Sequence, residues 1–322
     1  MIQRRLHPPA LVEEVLDFLR ARDLRDGVVC DLTLGTAGHT LALLRANPHL
    51  RVVGFDRDEE SLRVAQDRLT AEGVSARCRF VHADYRYFGA HLDNSEASCV
   101  GGVLLDAGCS LWQLDDAQRG MSFRGEGPLD MRFSTSQEGC TAAQLVNDSS
   151  EERLAELLRQ YGEESSRARI TARGLCRSRR RSPIRTSQEL VAAINAATTG
   201  PSRRSNEAAV TRTFAALRSA VNEELPALEG GLREAARMLA PGGRLVVLTY
   251  HSGEDTIAKA VLAELSGPGP GPFSSSPARQ PVVRLVAKKP VVPTRRETLA
   301  NPRARAAKLR CAEKLPPAEA PE

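Results

Sequence analysis

The residues from Val28 to Asp58 constrain this chain more than any other stretch: VVCDLTLGTAGHT, a helix-forming segment, then RVVGFDRD. An apolar run (Val28, Val29, Leu32, Leu34) breaks at Gly35, and Gly38 precedes Leu41, Ala42, Leu43 and Leu44, which is the pattern of strand, tight turn and helix. A second apolar strand (Val52, Val53, Gly54, Phe55) ends on Asp56, roughly 20 residues past the glycines, where doubly wound nucleotide folds set a carboxylate against ribose hydroxyls. The stretch reads as a nucleoside-cofactor pocket. A dinucleotide fingerprint needs a third glycine, because a pyrophosphate lies against bare backbone at the helix N-terminus. Here only Thr36 and Ala37 separate Gly35 from Gly38, and His39 follows. That spacing disfavours NAD and suits S-adenosylmethionine, which carries one ribose and a zwitterionic tail but no pyrophosphate.

Further along, the same rhythm continues. Leu11, Val15, Phe18 and Leu19 predict an amphipathic helix before the first strand. A helix (Leu62, Ala65, Leu69), a third strand near Arg79 to Ala83 ending in Asp84-Tyr85, and a fourth strand from Val100 to Asp106 follow. Strands alternating with helices imply an α/β fold with a mostly parallel sheet, whose ligands gather at the carboxyl ends of the strands. His39, Asp56, Tyr85 and Asp106 fall at those ends.

From Ser110 to about Glu207 there is no convincing strand. A helix from Ser150 to Ser165 carries Leu154, Leu157, Leu158 and Tyr161 on one face, with Ser149 and Glu152 as its capping box, and another runs from Ser187 to Ala197. This is the signature of a helical insert. The βα rhythm resumes with helices holding Phe214, Leu217, Val221 and Leu225, then Leu228, Leu232, Ala236 and Leu239. Pro241-Gly242-Gly243 stops them, and a fifth strand ends in Tyr250-His251-Ser252. The expected organisation is a first part of the sheet domain over 1–112, an insert for RNA recognition over 113–207, and a second part over 208–322. That second part contains a low-complexity, mobile loop at 266–281 and a basic tail.

Charge is unevenly placed. The formal net charge is +5, and Ser165 to Gln188 carries eight arginines and no acid, while Ala278 to Lys314 carries eleven Lys or Arg against two Glu. The arginine run is either a solvated face or a set of phosphate contacts, and its place beside a cofactor pocket favours the second, with Arg177, Arg179, Arg180 and Arg181 at its centre. The seven cysteines form no C-x-x-C pair, which argues against a zinc ribbon or disulfide framework and for a reducing compartment. No membrane span or signal-peptide h-region is visible, and Arg4 and Arg5 are too few for a transit peptide, so a cytoplasmic or a processed organellar protein is expected. Asp115, Asp116, Glu126 and Asp130 read as loop braces rather than a metal site.

With these blocks in view, the chain resembles the RsmH (MraW) family of S-adenosylmethionine-dependent methyltransferases that modify the exocyclic N4 of a cytidine in small-subunit ribosomal RNA. The blocks are His7-Pro8 with Glu14, DLTLGTAGHT, FDRD, LLDAGCS, QLDDAQRGMSFRGEGPLDMR, YGEE, TRTFAALR with VNEEL, PGGRL, YHSGED and NPRARAAKLR. The resemblance implies a class I (Rossmann-like) methyltransferase sheet interrupted by a helical substrate-recognition insert. It implies S-adenosylmethionine contacts at Ala37, Gly38, His39, Asp56 for the ribose, Tyr85 beside the adenine, Asp106 and Gln113. The partner it implies is small-subunit rRNA or the assembling subunit, with no membrane and with monomer or homodimer left open.

The chain departs from the family pattern at Ala37, where an alanine implies a negative φ, and at Ala208 and Gly253. Cys109 is similar to the eukaryotic, mitochondrial branch, which implies the mitochondrial matrix, against a bacterial cytoplasm. The departures keep open an alternative, an RNA-binding assembly protein that retains the fold without catalysis. Amino-methylating relatives of the class I fold keep an acid or amide at the end of the fourth strand, which makes Asp106 the candidate catalytic carboxylate. Since Ala107, Gly108 and Cys109 follow it, a base-stacking aromatic must come from elsewhere, with Trp112 and Phe123 the candidates. Trp112 equally suits a core position, and His251 is balanced between a structural histidine and a substrate contact.

Overall fold

The computed structural model describes residues 8–21, 23–24, 27–134, 139–161, 164–198, 203–267 and 280–317. They divide into two compact units, one comprising 6–108 with 225–322 and the other 109–224. The first begins with α1 (Val12–Phe18), β1 (Val28–Asp31), α2 (Gly38–Ala46), β2 (Arg51–Asp56), α3 (Glu59–Ala71), β3 (Cys78–His82), α4 (Asn94–Ala97) and β4 (Val100–Asp106). The second holds α5 (Leu111–Asp115), α6 (Ala142–Asp148), α7 (Glu151–Gln160), α8 (Ser165–Arg179), α9 (Ser187–Ala197) and α10 (Arg203–Val221). The chain then completes the first unit with α11 (Glu224–Met238), β5 (Arg244–Thr249), α12 (Ser252–Ser266), β6 (Val283–Leu285), α13 (Arg295–Ala300) and β7 (Lys308–Lys314).

The sheet has the order β3-β2-β1-β4-β5-β7-β6. Strands β1 to β5 are parallel, and β7 runs antiparallel to both β5 and β6. Alternate side chains feed two cores. Val29, Leu104, Val246 and Leu248 pack with Val15, Leu43 and Leu69 on one face, while Cys30, Val53, Val103 and Val247 pack with Leu228, Leu232 and Val261 on the other. Coverage of both faces is why these strands read as unbroken apolar runs. The order reverses between β1 and β4, and in open α/β sheets the ligand crevice lies outside the carboxyl ends at that switch. Asp31 ends β1 and Asp106 ends β4, so the topology delivers two acids to that crevice.

The second unit is helical among its described residues, with Leu154, Leu158, Ala172, Leu175, Leu190, Ile194, Phe214 and Leu217 in one cluster. Helices α8 and α9 touch closely at Gly174, where an added Cβ would stand 2.1 Å from that of Ala197. The break in strand rhythm at Ser110 and the helix Ser187–Ala197 are as expected. Three expectations change. Ser150, not Ser149, caps α7, its side chain accepting from the Arg153 N–H. The division of units falls at 108/109 and 224/225 rather than 112/113 and 207/208, because α10 runs unbroken through the second of those positions.

The third change concerns the basic tail, which is the antiparallel edge of the sheet. Part of its charge is paired: Lys308 and Arg310 meet Asp255 of α12 at 2.9 and 2.8 Å, and the tail's own Glu313 holds Arg284 at 2.7 Å and Arg244 of β5 at 2.9 Å. Most of the low-complexity loop, 268–279, lies outside the described residues.

Candidate active site

The site grows from the turn after β1. Gly35 (φ 50) and Ala37 (φ 58) both adopt left-handed backbone, which overturns the negative φ expected at Ala37. The Ala37 N–H donates to Leu34 O at 2.7 Å, so a tight turn forces the conformation, and the methyl lies in the core. For an L-residue this costs roughly 1 kcal/mol. The turn aims the start of α2 at the strand ends. Asp56 braces it from β2: Oδ2 accepts from Gly35 N–H at 2.8 Å and Oδ1 from Asp58 N–H at 2.9 Å. A carboxylate oxygen has a second lone pair, so both remain able to accept from hydroxyls. Burial pushes the Asp56 carboxyl up to about 6.

Two more acids stand beside it. Asp31, buried, accepts from Thr40 Oγ1 at 2.6 Å and Thr33 N–H at 3.2 Å. Asp106 receives the Tyr250 hydroxyl on Oδ1 at 2.8 Å, and its own N–H donates to Thr33 Oγ1 at 2.7 Å. His39, also buried, donates from Nε2 to Ala10 O at 2.9 Å and turns Nδ1 toward Asp106 Oδ2 at 3.5 Å. Burial holds both Asp31 and Asp106 above the ordinary carboxylate range, opposed at Asp31 by the Thr40 hydrogen bond and His39, and at Asp106 by His39 and Tyr250. Burial beside Asp106 pushes the Tyr250 phenol well above its usual value, so it stays a donor. Carboxylates desolvated at such cost suit a ligand that brings positive charge and hydroxyl donors.

The chain matches the MraW methylase family model over residues 4–315. It is 43% identical over 311 residues to the ribosomal RNA small subunit methyltransferase H of Thermobifida fusca, covering 96% of this chain and 93% of that one. This chain belongs to the MraW methylase family. The namesake proteins of Methylobacterium sp. (44% identical over 323 residues, covering 98% of this chain and 93% of that one) and Symbiobacterium thermophilum (40% over 313, covering 96% of each) are equally collinear with it.

Of the residues singled out from sequence, Ala37, Gly38, His39, Asp56 and Asp106 lie on the turn and strand ends just described. A Cβ on Gly38 would come within 3.2 Å of Pro9, so its smallness lets the N-terminal strap lie over the turn. Tyr85 is half-buried, its ring seated on the bare backbone of Gly231, where a Cβ would stand 2.6 Å away. His251 caps α12: its Nδ1 accepts from Glu254 N–H and its Nε2 lies 3.0 Å from Glu254 Oε1, a structural task.

In the helical unit, Gln113 is buried and closes a capping box with Ser110 at the start of α5. The Trp112 indole N–H is buried without an acceptor among the described residues. Phe123 packs edge-on against Phe214 at 6.0 Å. Asp116 caps the turn at Gln118, and Asp130 holds Arg132 at 2.8 Å. The arginine run is helix α8 and the turn after it. Arg179 donates to the Val146 carbonyl in the last turn of α6 at 2.5 Å, which makes it a helix brace. Arg167 and Arg173 face Glu164 and Glu151. Arg169, Arg177, Arg180 and Arg181 are exposed and in no ion pair among the described residues.

Sequence reasoning missed Asp31, Thr40 and Tyr250. Asp31 could have been found by the rule that picked out Asp56 and Asp106, an acid closing an apolar strand. The link from Tyr250 to Asp106 spans 144 residues and leaves no local signal.

Proposed function

We propose that this chain transfers a methyl group from S-adenosylmethionine to the exocyclic N4 of a cytidine in small-subunit ribosomal RNA or the assembling subunit. The carrying observation is Asp106: a desolvated carboxylate at the switch point, fixed by Tyr250, with Oδ2 left toward His39. The cofactor supplies an electrophilic methyl on a cationic sulfur. The residues fit it: Asp56 keeps acceptor capacity for ribose hydroxyls, and Asp31 and Asp106 offset positive charge. The cytosine amine is a poor nucleophile because its lone pair is delocalised into the ring. An N–H bond accepted by Asp106 turns that lone pair out of conjugation, and in-line positioning supplies much of the remaining acceleration.

The exposed arginines of α8 serve RNA phosphates, spaced about 6 Å per four residues along the helix. The intact acids favour an active enzyme over an assembly factor without catalysis. This reading places the protein where small subunits are built, the bacterial cytoplasm or, in a eukaryote, the mitochondrial matrix, which fractionation tests. The reaction is tested by nucleoside mass spectrometry of small-subunit rRNA from cells with and without the protein: restoration of N4-methylcytidine by the parent but not by Asp106→Ala supports it, and a mark that does not depend on the protein overturns it.

A further inference from the structure

We infer that His39 is a positioning residue that takes up, through Asp106, the proton the amine loses on methylation. This rests on the proposed reaction and deepens it. The Ala10 carbonyl can only accept, so the 2.9 Å contact fixes the hydrogen on Nε2 and leaves Nδ1 bare. Ala10 is itself held. On one side Leu11, in left-handed backbone at φ 53, gives its N–H to Glu297 Oε1 at 2.7 Å. On the other, Asn301 donates to the Pro8 carbonyl at 3.0 Å. Glu297 and Asn301, near the end of the chain, thereby brace the segment whose Ala10 carbonyl sets the tautomer of a histidine near its beginning.

Bare Nδ1 of buried His39 and Oδ2 of the partly exposed Asp106 face each other at 3.5 Å, two acceptors that a shared proton would bridge. The charged and titratable groups around them are Asp31 from β1, Tyr250 just past β5, Glu254 from α12, and Glu297 from α13, which bears on Tyr250. Each of them is an acid or a phenol.

The step balances. The amine nitrogen bonds the methyl carbon, the sulfur–carbon bond breaks with its pair remaining on sulfur, and the amine then holds one proton more than the product. That proton passes to Asp106 Oδ2 and on to His39 Nδ1, as positive charge at sulfur disappears.

Two variants and one spectrum test it. His39→Gln keeps a donor for Ala10 and His39→Asn keeps a polar amide facing Asp106, yet neither side chain takes up a proton. The parent single-turnover rate should rise with pH through an inflection of the Asp106–His39 pair. Both variants should lose that inflection and fall on the order of 10²-fold or more. Nitrogen-15 spectra of the neutral His39 ring, with the demethylated cofactor product bound, should show hydrogen on Nε2 and a bare Nδ1. Recovery of the parent's rate and pH profile by either variant, or hydrogen on Nδ1, overturns the relay alone. A parent protein that leaves rRNA cytidines unmodified overturns the reaction beneath it.

Discussion

The strand-end carboxylates and the arginines of α8 and the turn after it are two charged regions built on opposite terms. Asp31, Asp56 and Asp106 are desolvated, each engaged by hydroxyl or backbone donors and each raised above the ordinary carboxylate range by burial. Arg169 and Arg177 stand in water on a helix whose other face, Ala168, Ala172 and Leu175, holds the insert together, and Arg180 and Arg181 stand in water on the turn that follows it. Buried charge lowers stability unless something answers it, so the acids carry information about a ligand within the fold itself. Exposed charge costs the fold almost nothing, and only the partner reveals its purpose.

The sharpest break of this contrast is at Asp106. Asp106→Ala should lower the single-turnover rate by on the order of 10³-fold or more, while weakening cofactor binding less than Asp56→Ala does. Should calorimetry show binding collapsing in step with rate, Asp106 is only a cofactor ligand.

Asp56→Ala comes next. On the proposed reading it removes the ribose acceptor, and it should weaken S-adenosylmethionine by roughly 1.5–3 kcal/mol, the scale of hydrogen bonds to a charged group. It also leaves the Gly35 and Asp58 N–H groups without their acceptor, so chemical denaturation should register a stability loss as well. Unchanged affinity contradicts the assignment. Acid should weaken the same contact. The free protein holds a proton on Asp56 up to about pH 6, and that proton must leave before both oxygens accept from the ribose. Cofactor affinity should therefore be level above that range and weaken as pH falls through it, approaching about tenfold per unit. Asp31 and Asp106, also raised, add in the same direction. A flat profile down to pH of about 5 contradicts the carboxylate–ribose contact.

On the arginine side, changing Arg169, Arg177, Arg180 and Arg181 to Ser should flatten the salt dependence of RNA binding by about 0.7 log–log units for each phosphate no longer neutralised on single strands, leaving cofactor affinity and stability untouched. Arg179→Ala should do the reverse, costing about 1 kcal/mol of stability by removing the hydrogen bond to Val146 with the salt slope unchanged. A parent-like slope in the fourfold variant returns the run to a solvated face.

The smallest effect belongs to Ala37→Gly. Relief of left-handed strain, roughly 1 kcal/mol, is offset by loss of a buried methyl worth about 0.8 kcal/mol. Denaturation midpoints should barely move, and a shift beyond about 1.5 kcal/mol means that the turn is held by something other than its hydrogen bond to Leu34.

How much was legible follows the same division. Strands β1 to β5 were readable because both faces are covered and the apolar runs are continuous. The insert was readable from the loss of that rhythm at Ser110, and α9 from the helical spacing of Leu190, Val191 and Ile194. Strands β6 and β7 were not. In KLRCAEK only Leu309, Cys311 and Ala312 are buried, and the charges between them find Asp255 and partners on β5, which a local count sees only as a basic run. Asp56 and Asp106 were visible as acids closing strands. The hydrogen bonds from Tyr250 to Asp106 and from His39 to Ala10 join segments apart in sequence and exist only once the sheet is assembled. Ala37 misled because the preference against positive φ is weak enough for one tight turn to override it.

The central claim is tested most directly by incubating purified protein with small-subunit rRNA, free and in assembling particles, and a deuterium-labelled methyl donor, then digesting to nucleosides for mass spectrometry. The account predicts label in N4-methylcytidine with the parent and none with Asp106→Ala. Label on ring carbon, ribose or another base contradicts it, as does equal label from the two proteins.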